Sequence, residues 1–228
     1  METKYKLRSQ HTIDLVRDLL GQGVDRISLI IRHSDRQYSD NPRLEPFMGL
    51  NDPGKQYAFD LGKFFPLDLT PVLFSSHFGR CIETAYLIDK GFTCVSNKDL
   101  PHNTINTALT PFYVKDIITA TNMLIKTGST QFVKDWFDKT IDESIMLDPE
   151  VTANRITDFM VSRLKDLSPG QAAVCVTHDW NIFPVKYFKL GLPHENALDA
   201  GYLDAVAFFE KGDRIFAAAR QLDPVEIS

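Results

Sequence analysis

Apolar residues along this chain occur in two kinds of run, and their alternation sets the expected architecture. Ile27-Ser28-Leu29-Ile30-Ile31 and Ala172-Ala173-Val174-Cys175-Val176 are short and nearly continuous. Such runs predict strands buried on both faces, over residues 26–32 and 172–177. Elsewhere the apolar positions are spaced for helices. Ile13, Val16, Leu19 and Leu20 share one face over residues 12–20, and Gly21 and Gly23 then end the helix. Asp52-Pro53 opens a helix through Phe64, with proline well placed in its first turn. Further helices are expected over 79–89, 111–126, 130–137, 149–167 and 181–190. Short strands are expected over 71–74 and 92–95, and two more over 204–209 and 214–220, joined by the tight turn Lys211-Gly212-Asp213. Residues 38–53, rich in proline and glycine, and residues 101–111 read as loops.

Strands alternating with helices imply an α/β fold, a three-layer sandwich with a largely parallel central sheet and an antiparallel C-terminal hairpin. No linker, repeat or low-complexity stretch interrupts residues 1–228, so a single domain is expected, with a helical insertion at about 101–167 lying over the sheet.

Charge and cysteine usage narrow the function classes. Lys and Arg total 25 against 30 Asp and Glu, a net charge of −5, so no global field attracts nucleic acid or an anionic membrane surface. An anion site must therefore be a local cluster. The start of the chain lacks the apolar stretch of a secretory signal, and no run approaches a membrane span, so a cytoplasmic protein is expected. Cys81, Cys94 and Cys175 have no C-x-x-C spacing, which disfavours a disulfide framework or zinc knuckle. No metal or other cofactor is expected.

Ligands in such folds bind beyond the carboxyl ends of the strands, and three strand ends carry polar clusters there. Arg32-His33-Ser34-Asp35-Arg36 follows the first, Ser75-Ser76-His77-Phe78-Gly79-Arg80 the second, and His178-Asp179 the later one. Two histidines and three arginines converging on one point would be costly without an anion to neutralise them. Arginine forks suit phosphate oxygens, and histidine is a nitrogen nucleophile that is largely neutral near pH 7.

With these residues in view, the chain resembles the histidine phosphatase superfamily, the phosphoglycerate mutase and acid phosphatase relatives. Their Arg-His-Gly start is matched by Arg32-His33-Ser34, and their Ser-x-x-x-Arg segment by Ser76-His77-Phe78-Gly79-Arg80-Cys81-Ile82-Glu83-Thr84-Ala85. Their late histidine is matched by Thr177-His178-Asp179, and Gly49-Leu50-Asn51-Asp52-Pro53-Gly54 resembles the passage after their first motif. The resemblance implies a phosphoglycerate mutase-like sandwich. It also implies phosphomonoester hydrolysis in which His33 attacks phosphorus and forms a phosphohistidine, with Arg32, Arg36, Arg80 and His178 holding the phosphoryl oxygens. Ser34, Ser76 or Thr177 would add hydrogen bonds. Asp179 is the expected proton donor, as in the acid phosphatase branch, with Asp99 and Asp116 as outside candidates; Glu83 is expected in a structural pair. A departure is Ser34, which stands where the family usually has glycine and would be strained by about 1 kcal/mol if its φ were positive.

Other readings stand beside this one. His33, Asp35, His77, His178 and Asp179 could form a hydrolytic metal site, although three arginines would repel a divalent cation. The chain could instead be a weakly catalytic phosphate-binding or protein-interaction module. A phosphomutase would need its phosphohistidine to outlast product exchange, which leaves hydrolysis as the simpler expectation. The partner is expected to be a phosphorylated small molecule or other phosphorylated substrate, with no nucleic acid or membrane involved. Residues 37–48 and 101–126 should face its leaving group.

Overall fold

A computed structural model describes residues 2–220 and 222–227, arranged around one seven-stranded sheet. The strands are β1 (Arg26–Arg32), β2 (Thr70–Ser75), β3 (Thr104–Ile105), β4 (Gln171–Thr177), β5 (Ala205–Lys211), β6 (Arg214–Ala219) and β7 (Val225–Glu226), in the spatial order β3-β2-β4-β1-β5-β6-β7. β1, β4, β2 and β3 run parallel, while β5, β6 and β7 are antiparallel. The carboxyl ends of β1, β4 and β2 therefore lie side by side on one edge.

Period-two alternation distributes the side chains of β1 between two cores. Ile27, Leu29 and Ile31 pack under α1 (Glu2–Gly21), α2 (Asp52–Phe64) and α3 (Gly79–Ser96), against Val16, Leu61 and Ile88. Ile30 points to the opposite face, among Ile156 and Met160 of α6 (Pro149–Lys165) and Phe132 and Trp136 of α5 (Ser129–Phe137). Both faces are covered, which is why the two central strands read as uninterrupted apolar runs. Gly62 lets α2 approach α3 closely: a Cβ there would lie 2.0 Å from the Ile88 carbonyl oxygen.

Several expected elements shift in the structure. Residues 92–95 do not form a strand; they continue α3 to Ser96, because Cys81, Ala85, Ile88 and Phe92 make one buried helical face. Asn97 then ends the helix at φ +53°. A four-residue apolar run is ambiguous between helix and strand, and its helical continuity decided the outcome. The expected helix over 111–126 begins only at Ile117, giving α4 (Ile117–Thr127), where Asp116 caps the Ile118 and Thr119 amides. The expected helix over 181–190 is divided into α7 (Asp179–Pro184) and a π-helical turn over Val185–Lys189. A short helix, α8 (His194–Ala197), follows.

The stretch expected as an insertion also divides. Ile156, Met160 and Leu164 make α6 part of the sheet's covering layer, whereas α4 and the start of α5 border the cavity at the strand carboxyl ends. Among the described residues, no helix is long and apolar enough to cross a membrane.

Candidate active site

β1 delivers His33, β4 delivers His178, and Gly79 and Arg80 form the first turn of α3 after β2. Main-chain bonds fix these strand ends relative to one another. The His33 amide donates to the Thr177 carbonyl at 2.9 Å, and the Ser76 amide donates to the Val176 carbonyl at 3.0 Å. The Leu203 amide donates to the Arg32 carbonyl at 3.1 Å. Leu203 does so at φ +59°, a left-handed conformation that costs a branched residue about 1–2 kcal/mol, so this strand end holds local strain.

The hydrogen bonds assign both imidazole tautomers. His33 Nδ1 lies 2.8 Å from the Ser34 carbonyl oxygen, which can only accept, so Nδ1 carries the proton and Nε2 the lone pair. Arg80 Nε donates to that Nε2 at 3.0 Å. A second nitrogen of the same guanidinium lies 3.3 Å from His178 Nδ1, which must accept; His178 Nε2 therefore donates to Ser76 Oγ at 3.1 Å. One arginine thus spans the lone pairs of two histidines whose ring centroids are 5.5 Å apart.

This arrangement favours neutral imidazoles. Burial holds the His33 pKa well below the ordinary histidine value, reinforced by the neighbouring His178, Arg80 and Arg32 and opposed by the Ser34 carbonyl. Burial likewise lowers His178, followed by Arg80 and Arg32. Cys81 lies 3.7 Å from His178 Nε2, but burial pushes its thiol up to about 12, so it stays protonated and unreactive at neutral pH.

The remaining arginines carry carboxylate partners. Arg32 pairs with Asp179 Oδ2 at 2.7 Å, donates to the Ala200 carbonyl at 2.8 Å, and lies over the Tyr202 ring at 4.3 Å. Arg36 pairs with Glu45 and lies 4.2 Å over the Tyr38 ring. Tyr38 and Tyr202 are joined through their hydroxyls, linking the two arginine platforms. Arg32, His33, Arg36, Arg80, His178 and Asp179 all line one cavity of about 530 Å³.

Ser34 and Ser76, expected to touch the substrate, do not line it. Ser34 Oγ donates to the Gly54 carbonyl at 2.7 Å and its amide donates to Thr84 Oγ1 at 3.1 Å. Among the described non-glycine residues only Asn97, Lys139 and Leu203 have positive φ, so Ser34 carries none of the strain that a positive φ would bring. What this corner requires is glycine at position 54, where a Cβ would lie 1.9 Å from the Asp35 carbonyl oxygen. Ser76 supports the His178 ring instead of a ligand, and Thr177 Oγ1 donates to the Leu109 carbonyl at 2.6 Å.

The carboxylates sort in a similar way. Glu83 accepts from the Leu50 amide at 3.0 Å, a structural bond, and Asp116 is occupied in capping α4. Asp35 accepts from the Arg36 amide at 2.8 Å. Asp179 is paired to Arg32, and Arg80 is set between the two imidazoles, so a guanidinium takes up the lone pairs that a metal ion would need. Among the described residues, no cluster of three or more histidine, cysteine or acidic side chains could hold a metal ion.

Sequence reasoning singled out neither Trp180 nor Tyr202, and it placed Tyr38 and Glu45 at the cavity only as part of residues 37–48. Tyr38 and Glu45 fall in the loop expected to face the leaving group, whose ends are closed by the Gln37 amide donating to the Gly49 carbonyl at 2.9 Å. Tyr202 had no pattern to reveal it.

No protein-family model and no curated protein matches the chain. Solved structures do resemble it. A mycobacterial glucosyl-3-phosphoglycerate phosphatase aligns with TM-score 0.55 and 17% identity, over 81% of this chain and 90% of that one. A putative α-ribazole-5'-P phosphatase from Escherichia coli aligns at 0.52 and 18%, over 89% and 99%. A phosphoserine phosphatase mutant from Entamoeba histolytica, in complex with phosphoserine, aligns at 0.53 and 12%, over 86% and 96%. These likenesses show the fold: the sheet and its flanking helices form a phosphoglycerate mutase-like α/β sandwich.

Proposed function

We propose that the chain is a phosphatase that hydrolyses phosphomonoesters through a phosphohistidine on His33. The observation that carries this reading is the bond from His33 Nδ1 to the Ser34 carbonyl, which leaves a neutral Nε2 lone pair at the floor of an arginine-lined cavity. A buried, uncharged imidazole whose Nε2 carries a lone pair, held by the Arg80 Nε–H until a substrate arrives, is the form a nitrogen nucleophile requires.

Nε2 attacks phosphorus as the ester P–O bond breaks on the opposite side. Arg80 swings its Nε–H from the lone pair to a phosphoryl oxygen, and Arg32 and Arg36 complete the clamp, while His178, its Nε2 proton committed to Ser76, anchors the Arg80 guanidinium through its Nδ1 lone pair. The Arg32 and Arg36 donors, held in place by their carboxylate partners before the reaction, stabilise the charge spread over those oxygens. Asp179 protonates the departing oxygen and then takes a proton from the water that attacks the phosphohistidine, which regenerates the enzyme. Its pairing with Arg32 ties the carboxyl to a guanidinium of the clamp, so substrate binding and carboxyl placement are coupled. The solved structures of this fold, several of them phosphatases, support hydrolysis as the reaction class.

Rapid-quench labelling with a phosphorus-labelled aryl phosphate tests the intermediate. The wild-type chain should acquire an alkali-stable, acid-labile phosphoryl group within one turnover, and His33→Ala should acquire none. Hydrolysis without any such adduct would overturn the nucleophilic role of His33.

A further inference from the structure

We propose that the leaving group is apolar: the chain acts on monophosphates of aliphatic or aromatic alcohols that carry no second charged group. This rests on the phosphomonoesterase reading of the same cavity and names its substrate class.

The cavity has two unlike halves. Every charged side chain lining it, Arg32, Arg36, Arg80, Glu45 and Asp179, belongs to the phosphoryl end, where two of the guanidiniums already have carboxylate partners. The opposite wall is one face of α4, where Ile117, Thr121, Leu124 and Ile125 follow the i, i+4, i+7, i+8 spacing of a single helical stripe. Pro111, Val114 and Trp180 extend it. The Trp180 ring is fixed by stacking on Phe132, with centroids 5.4 Å apart.

Within α4 only Ala120 is fully buried, and Ile117 and Ile125 remain 67% and 61% exposed while lining the cavity. Tyr38 and Pro46 stand on the other rim, and Tyr38 is 66% exposed. An apolar patch bordered by a polar floor marks a binding surface, and here it is continuous with the phosphoryl clamp. A leaving group bearing a carboxylate or second phosphate would meet no cation among the described residues of that wall. A polyol would find only the hydroxyls of Thr121 and Ser129 there and would lose hydrogen bonds to water against isoleucine and leucine.

The test is a series of n-alkyl monophosphates from ethyl to octyl, with phenyl phosphate, glycerol phosphate and a carboxylated phosphoglycerate, each read as kcat/KM for phosphate release. Affinities of the matching alkylphosphonates, which need no turnover, are measured by calorimetry. We expect kcat/KM and phosphonate affinity to rise about two- to fourfold per methylene until the wall is filled. The double variant Ile117→Ser, Ile125→Ser should lower the octyl-to-ethyl ratio about tenfold while keeping the wild-type melting temperature.

A flat series, or faster release from the carboxylated ester, overturns the inference and leaves the phosphatase reading intact. No release from any ester, with phosphonate affinity still rising with length, sinks hydrolysis and supports apolar recognition. Neither release nor length dependence removes both. If the α4 face is instead covered by a second copy of the chain, the double variant will change the sedimentation coefficient and leave the length dependence untouched, which also overturns the inference.

Discussion

Lowering the pH should destabilise this fold in a way that reports directly on the two buried imidazoles. His33 and His178 both have folded-state pKa values well below the ordinary 6.5, because burial disfavours their charged forms and Arg80 adds repulsion. As the pH falls below 6.5 the unfolded chain binds protons that the native state refuses. Their stabilisation is therefore complete above pH 6.5 and is lost progressively down through the folded-state values. Between pH 7.5 and 5.5 each histidine should remove on the order of 1 kcal/mol, and the pair more than either alone. Urea unfolding of the wild type, His33→Gln and His178→Gln at both pH values isolates this effect from the carboxylates common to all three. Each variant should lose on the order of 1 kcal/mol less than the wild type across the interval. Equal losses in all three would refute the reasoning, since the imidazoles would then titrate alike in the folded and unfolded states.

Arg80→Lys should lower kcat/KM about 10²- to 10³-fold, because an ammonium cannot reproduce the planar fork that reaches His33 and His178 together; steady-state kinetics on phenyl phosphate reads this, and near-wild-type rates would contradict the assignment. Ser76→Ala leaves the buried His178 Nε2 proton only the weak Cys81 sulfur, 3.7 Å away, and should cost about 1–3 kcal/mol in urea unfolding. Asp179→Asn should slow hydrolysis of alkyl phosphates about 10²- to 10⁴-fold yet leave p-nitrophenyl phosphate much less affected, because that leaving group needs no proton. Glu45→Gln on the same two substrates separates the carboxylates, and a larger leaving-group dependence there would move the proton donor to Glu45.

The central strands and the helix Asp52–Phe64 were legible in the sequence because burial on both faces and an Asn-Asp-Pro start leave few alternatives. The convergence of Arg32, His33, Arg80 and His178 was legible too, since a parallel sheet forces neighbouring strand ends together. What failed was side-chain direction. Ser34 and Ser76 are hydroxyls beside the motif residues, and only three-dimensional packing reveals that Gly54 and His178 take their bonds. Residues 92–95 were misread because Phe92 and Val95 suit either period, and the heptad-like contacts of Cys81, Ala85 and Ile88 lie upstream of that window. Tyr202 reaches Arg32 from the far side of the chain through a strained turn at Leu203, which no local propensity encodes.

The position of β4 has a consequence for biosynthesis. It lies between β1 and β2, pairing Arg26 with Gln171 on one side and Thr70 with Gln171 on the other, although both neighbours are made long before it. A nascent chain that has reached α5 carries two apolar strands with a vacant slot between them, and unpaired edges of this kind recruit other chains. Contacts so distant in sequence also close slowly. The same late strand brings His178 and Asp179, so the polypeptide can complete the cluster at its strand ends only in the step that seals its own aggregation hazard.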